Sequence, residues 1–417
     1  MIEDKFKNSD IGLIPEDWEV VIMESVASVY RGGSPRPIEA YLTDSPDGIN
    51  WIKIGDVGIN AKFIEKTEER IIPNGVQRSR RVYPGDFLLS NSMSFGRPYI
   101  LKIDGCIHDG WLVIQNYQET FDTDYLYYAL SSAYMQSQYK ALAAGSSVLN
   151  LNKDIVKKVY IKKPIIDEQK RIANALSDID NLIGVIQNNI NKSKNIRIGL
   201  IRGLLTGDKR LPNYTAPWKK KNLGKSATIK ARIGWQGLTT SEYLDFGDYY
   251  LITGTDFING GIQWNGCHYV TKERYDQDPY IKIQEQDVLV TKDGTIGKIA
   301  YLDSIPGPGT LNSGVFVIRT KDKDISQRYL AKVFISKYFD DFIDSIVAGS
   351  TINHLYQKDI VKFDFYVPPT TDEQDAICDI IEDMDNEIRS LSKKLEKYTM
   401  LKEGMMQQLL TGKIRLI

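Results

Sequence analysis

Along two long stretches of this chain, apolar residues recur at alternating spacings of four and three. Within 167–206 they fall at Ile172, Leu176, Ile179, Ile183, Ile186 and Ile190. Within 372–411 they fall at Ile377, Ile381, Met384, Ile388, Leu391, Leu395 and Tyr398. A period of 3.5 keeps one stripe facing a partner helix, so each stretch predicts a helix with a coiled-coil seam, ~60 Å long for ~40 residues. Lying in one chain, the two are expected to pair with each other. Gly207 and Gly412 mark the helix ends, Thr371-x-x-Gln374 reads as a capping box before the second helix, and Asp167 as the cap of the first. The seam frame calls for apolar residues at 197 and 402, yet Arg197 and Lys402 stand there. They either fix the register or snorkel at the edge of the pair. Gly199 and Gly404 each cost about 1 kcal/mol in a helix, which close approach of another backbone would explain.

Elsewhere the pattern changes. Segments 1–159 and 212–364 carry short β-like runs, such as Val82 to Leu89 and Gln286 to Thr291, bounded by Gly, Pro, Asn and Asp. Helical stretches follow around 122–143 and 326–347.

The two halves are copies. Lys153 to Leu211 lies on Lys358 to Leu416 without a gap, with 22 identities in 59 positions, where chance gives about 4. Shared runs are Lys-Asp-Ile-Val-Lys, Asp-Glu-Gln, Asp-x-Asp-Asn and Leu-Leu-Thr-Gly. Landmarks persist in the more divergent mixed segments: Trp18 with Trp218, Gly-Asp56 with Gly-Thr-Asp256, Ser94-Phe-Gly-Arg97 with Thr295-Ile-Gly-Lys298, and Ala144-Gly-Ser-Ser147 with Ala348-Gly-Ser-Thr351. A period of 205 residues is too long for a solenoid and marks a duplication of whole domains. A duplicated reader suits a target with two halves. The expected fold is α+β, with mixed domains at 1–159 and 212–364 alternating with helical regions at 160–211 and 365–417, related by a pseudo-twofold.

No catalytic constellation accompanies this layout. Methyltransferase Asn/Asp-Pro-Pro-aromatic, Gly-x-Gly-x-x-Gly and Walker-type loops are missing, and His108, His268 and His354 are scattered without metal-ligand spacing. No metal or cofactor is therefore expected on this chain. The acidic start of the second helix reads as dipole compensation and solvated surface.

Polar and basic clusters do occur, at similar places in both copies. They are Arg31, Ser34 and Arg36; Arg78 and Arg80; Asn91, Ser92, Ser94 and Arg97; and Ser146 and Ser147. In the second copy they are Arg232, Trp235 and Gln236; Thr291, Lys292, Thr295 and Lys298; and Ser350 and Thr351. Arg and Lys suit guanine or phosphate, Asn and Gln suit adenine, and glycine amides approach phosphates. Each loop alone reads first as an ordinary polar turn; recurrence in both copies brings the DNA reading level with it.

Net charge is −1, so any nucleic-acid attraction must be local. Three unevenly spaced cysteines fit a reducing compartment, and there is neither a signal-like apolar core nor an 18-residue apolar run. A soluble cytoplasmic protein with no membrane contact is expected.

The layout resembles the specificity subunit of type I restriction–modification enzymes over the whole chain. The resemblance rests on Ile14-Pro-Glu-Asp-Trp18, the Gly-Ser-Ser/Thr loops before Lys-Asp-Ile-Val, Pro-x-x-Asp-Glu-Gln opening each helix, and Leu-Leu-Thr-Gly closing it. It implies two target-recognition domains, each reading half of a bipartite double-stranded DNA site, and an antiparallel helical spacer. It also implies two methyltransferase subunits acting on adenine with S-adenosylmethionine, and restriction subunits using ATP and Mg. Chemistry would then lie on partners. The motif Pro-Glu-Asp-Trp shrinks to Ala216-Pro217-Trp218 in the second copy, leaving that domain's approach loop open. Two other readings are a single-chain restriction–methylation enzyme, which would need the missing motifs, and a non-DNA coiled-coil scaffold, which would not explain the duplicated polar loops.

Overall fold

A computed structural model describes residues 6–58, 61–91, 95–144, 151–347 and 354–417, the side chains of Trp235 and Val347 excepted. The chain divides into two compact units, Met1–Gln187 with Lys393–Ile417, and Asn188–Ser392. Each unit holds one mixed domain and one half of each long helix.

In the first unit a five-stranded sheet runs in the order Ser28–Arg31, Trp111–Gln115, Phe87–Ser90, Pro98–Leu101, Phe63–Ile64. A four-stranded sheet orders Glu69–Ile71, Ile49–Ile52, Gly105–Ile107, Arg80–Val82. The central strands are apolar throughout because both their faces are buried. Trp111, Val113 and Leu88 point into a core shared with Ile52, Val82 and Ile107, while Leu112, Ile114, Phe87 and Leu89 point into a core with the helices. That alternation is the period of two of a strand. The β-like run 82–89 is thus two strands, broken by a turn at Tyr83 to Asp86 with Gly85 at φ +93°. The second unit repeats the plan. Ala227–Ala231, Val315–Thr320, Val288–Thr291 and Ile299–Tyr301 form one sheet, and His268–Val270, Tyr249–Ile252 and Gly309–Leu311 another. Each helical stretch is two helices, Thr123–Ser131 with Ala133–Ala143, and Gln327–Phe334 with Lys337–Val347.

A two-stranded pairing closes each domain, Glu19–Ile22 with Tyr160–Lys163 and Lys219–Asn222 with Asp364–Val367. The long helices follow at Ile166–Thr206 and Thr371–Leu409. All thirteen seam residues named above are buried or half-buried. In the first unit Ile172 and Leu176, near the start of one helix, share a core with Leu409 and Leu410 at the end of the other. In the second, Ile201, Leu204 and Leu205 share a core with Ile377 and Ile381. Within each unit the pairing is therefore antiparallel. The seam cations make equivalent ion pairs: Lys402 reaches Asp180 at 2.6 Å in the first unit, and Arg197 reaches Asp385 at 2.5 Å in the second.

The Asp-Glu-Gln motif anchors each helix start. Glu168, nearly inaccessible, accepts the Trp18 indole N–H at 2.9 Å and both ends of the Arg415 guanidinium at 2.8 Å. Burial pushes the Glu168 carboxyl up, but Arg415 and Trp18 outweigh it and hold its pKa below the usual value. In the second unit Trp218 and Arg210 bind Glu373 in the same way. Asp17, which also binds Arg415, is replaced there by the Ala216 carbonyl, so the shortened approach loop keeps its tryptophan and its anchor. Gln169 and Gln374 tie the helix to the preceding loops through the Thr120 and Pro164 carbonyls, and through those of Asp324 and Pro368.

Three expectations change. Gln374 is drawn away by those carbonyls and forms no capping box with Thr371; Thr370 accepts the Glu373 amide instead. Asp167 lies inside the first turn of its helix rather than before it. A Cβ on Gly199 or Gly404 would meet nothing within 4 Å, so no backbone among the described residues approaches either closely.

Candidate nucleic-acid interface

The strand directions bring most of the candidate residues to one end of each mixed domain. In the first unit, Ser28–Arg31 and Phe87–Ser90 finish where Trp111–Gln115 and Pro98–Leu101 begin. Three stretches of chain, at 31–36, at Asn91 and at 108–109, meet there, and Asp109 is their hub. Its carbonyl accepts Arg31 Nε at 3.1 Å and Asn91 Nδ2 at 3.3 Å. Its Oδ1 accepts the Ser34 hydroxyl at 2.9 Å and lies 3.0 Å from His108 Nε2, and its Oδ2 is 3.4 Å from Arg36. Burial raises the Asp109 pKa, but the Ser34 hydroxyl and the charges of His108, Arg36 and Arg31 outweigh it and hold the carboxyl below its usual value. Gly32 is required by this hub: a Cβ there would stand 2.1 Å from the His108 carbonyl oxygen.

Arg31 and Arg36 are exposed. So are Arg78 and Arg80, whose guanidinium groups lie over the Tyr41 and Tyr30 rings at 5.7 and 4.6 Å. Asn91 is buried and holds the hub rather than facing solvent. Arg97 is half-buried, and its charge partly offsets the burial that raises the Tyr127 phenol pKa.

The second unit has the same backbone frame. The Gly96 amide donates to the Ser90 carbonyl at 2.9 Å, as Gly297 does to Thr291. Asn91 donates to Gly110 at 3.0 Å, as Lys292 does to Gly314 at 2.9 Å, and Leu151 to Asn91 at 2.8 Å, as Leu355 does to Lys292. On this frame the side chains differ. Thr291 is buried, its hydroxyl donating to the Thr295 carbonyl at 2.5 Å and accepting from the Lys298 amide at 2.9 Å. It draws the loop neck shut and leaves Thr295 and Lys298 exposed. Lys292 lies over Phe316 at 5.3 Å.

Arg232 and Gln236 turn inward. Strand pairing sets Ala231 opposite Phe316 as Arg31 is opposite Leu112, so Arg232 corresponds to Gly32, one residue out of step with Arg31. A one-residue offset turns a strand side chain to the other face. Arg232 is accordingly buried, bonded to Leu311, Gln277 and Thr310. Gln236 is buried with its Oε1 unpartnered. Ser92, Ser94, Ser146, Ser147, Ser350 and Thr351, and the side chain of Trp235, lie outside the described residues.

Sequence reasoning missed the carboxylates at these strand ends. Asp109 with His108, and Asp293 with His354, sit in Asp-Gly turns, a dipeptide signal that was there to be read. Among the described residues no three His, Cys, Asp or Glu side chains gather as metal ligands, and no helix is long and apolar enough to cross a membrane.

A family model described as type I restriction modification DNA specificity domain matches residues 15–194 and again 217–398. The type I restriction enzyme MjaVIII specificity subunit of Methanocaldococcus jannaschii is 25% identical to this chain, over 99% of this chain and 96% of that protein. The MjaIX specificity subunit of the same organism is 22% identical over 99% and 97%. Among solved structures, the S subunit of a type I restriction-modification system from M. genitalium superposes with a TM-score of 0.57 at 16% identity, over 97% of this chain and 98% of that one. The HsdS subunit from Thermoanaerobacter tengcongensis gives 0.51 at 15% identity, over 96% and 98%. At such identities the superpositions establish a shared fold.

Proposed function

Because the chain belongs to the type I restriction modification DNA specificity family, we propose that it is the DNA-reading subunit of a type I restriction–modification complex, each mixed domain reading one half of a bipartite double-stranded site. One observation carries this reading: both domains share a backbone frame at their strand ends but fill it with different side chains. Such a frame suits two readers of different sequences, and a non-DNA scaffold would leave it unexplained. Exposed Arg31, Arg36, Arg78 and Arg80 in the first domain, and Lys298 in the second, supply the local positive charge that a net charge of −1 otherwise lacks.

The paired helices set the unread gap between the half-sites and dock two methyltransferase subunits, to which restriction subunits are added. Exposed apolar residues on the helices, among them Val185, Ile198, Met400 and Leu401, support docking. Adenine methylation with S-adenosylmethionine, and restriction with ATP and Mg, then belong to those partners in the cytoplasm, while this chain is non-catalytic. The test is to map methylated adenines in cells expressing the chain with its methyltransferase. Two fixed half-sites separated by an unread gap are expected, with Arg36→Ala degrading one half and Lys298→Ala the other. Methylation without two halves, or both variants acting on the same half, would overturn the reading.

A further inference from the structure

Each proposed reading face holds one carboxylate with a histidine beside its Oδ1, and in the first domain the Ser34 hydroxyl donates to that same oxygen. Asp109 meets His108 through Oδ1, and Asp293 meets His354 through Oδ1. Among the described residues, Asp109 Oδ2 has only the long 3.4 Å contact to Arg36, whose side chain is 81% exposed, and Asp293 is about half-exposed, which leaves each carboxylate open to an incoming partner. The two aspartates are not copies of one ancestral residue: strand pairing aligns Asp109 with Ser313, whereas Asp293 follows Lys292, the counterpart of Asn91. The domains thus reached the same device from different loops of a common frame.

A carboxylate on a surface meant for phosphate is repelled unless it meets a hydrogen-bond donor. In the major groove the donors are exocyclic amino groups, and Asp characteristically accepts from cytosine N4 while a neighbouring Arg addresses guanine. Resting on the DNA-reading function proposed above, we infer that Asp109 and Asp293 are specificity-determining residues, each accepting a hydrogen bond from a cytosine amino group in its own half-site. The histidine, together with Ser34 in the first domain, orients the carboxylate through Oδ1. In the first domain Arg36 leaves its weak contact with Oδ2 for the guanine of the same or adjacent pair. The aspartates also discourage binding to unmatched DNA by repelling its phosphates.

The experiment selects binders from a random duplex DNA library with the full-length chain and its Asp109→Asn and Asp293→Asn variants, and checks each by thermal melting. The wild type is expected to yield a C·G pair in each half. Asp109→Asn should lose about tenfold preference for cytosine at one position of one half, and Asp293→Asn the same in the other half. Both variants should bind random DNA more tightly. An unchanged motif for either folded variant overturns the inference while leaving the two-reader function intact, whereas one variant altering both halves overturns the inference and counts against that function as well. Failure of the wild type to select a two-part motif would instead count against that function. Should Asp109→Asn not fold, the more exposed Asp293 decides the matter alone.

Discussion

Arg36 reaches into solvent with one long contact, whereas Arg232 is buried with each of its three nitrogens bonded. Removing Arg36 should leave the melting temperature unchanged, as surface changes usually stay within about 0.5 kcal/mol. It should weaken DNA binding by about 1–3 kcal/mol and relax the preference at one position of one half-site. Arg232→Ala strands the Leu311 carbonyl and the Thr310 hydroxyl in a closed interior, at a cost of about 2–4 kcal/mol. Melting curves and DNA-binding measurements of both variants check this, and a lower melting point for Arg36→Ala than for Arg232→Ala would reverse the two roles. The sequence displayed both arginines in similar loops after the first long strand of each domain. A single residue of offset decides which way each points, and that offset is fixed by strand pairing a long way along the chain. The importance of Asp109 was hidden for another reason: its hub forms only when three segments distant in sequence converge.

At the scale of elements, the seam was legible because its period of 3.5 repeats over about five to six turns in each helix and each burial adds to the same stripe. The helix starts were misread because Gln374 meets distant carbonyls that local capping rules do not see. Charge also joins elements in ways that pH should reveal. Glu382 on the second long helix is bound by Arg328 and Lys332 of helix Gln327–Phe334. The Arg328 guanidinium bond is the main cause that holds the Glu382 pKa at about 2, well below its usual 4.5. Because the folded value is the lower one, this stabilisation is present above pH ~4.5 and is lost as pH falls towards 2. Allowing for partial exposure, it is worth about 1–2 kcal/mol. Glu382→Gln should therefore melt below the wild type at pH 7, with the gap closing near pH 2.5. A gap of equal size at both values would show that the carboxylate charge contributes nothing.

At the scale of the molecule, the duplication gives each unit the same anchor made from different stretches of chain: Arg415 on Glu168 in one unit and Arg210 on Glu373 in the other. Both glutamates are almost fully buried, so deleting their arginine leaves an uncompensated charge, at about 3–5 kcal/mol. Arg415→Ala should lower one calorimetric transition and Arg210→Ala another; if either variant lowered both equally, the units would not unfold separately. The sequence announced the duplication through these same motifs, but it did not say that Glu, Trp and Arg meet, since they lie up to 397 positions apart along the chain. The longest-range consequence concerns the gap between half-sites. The helices change units at equivalent places, after Gln187 and after Ser392. Seven apolar-patterned residues inserted at both points preserve the seam, because seven residues are two turns at 3.5. They lengthen each helix by ~10.5 Å, the rise of ~3 base pairs at 3.4 Å each. Those base pairs also turn the second half-site by about 100°, at ~10.5 per helical turn. Methylation of the original site by the elongated chain with its methyltransferase should be lost, and any sites still modified should carry a gap about 3 base pairs wider. Retention of the original gap at full efficiency would show that the helices are not the ruler.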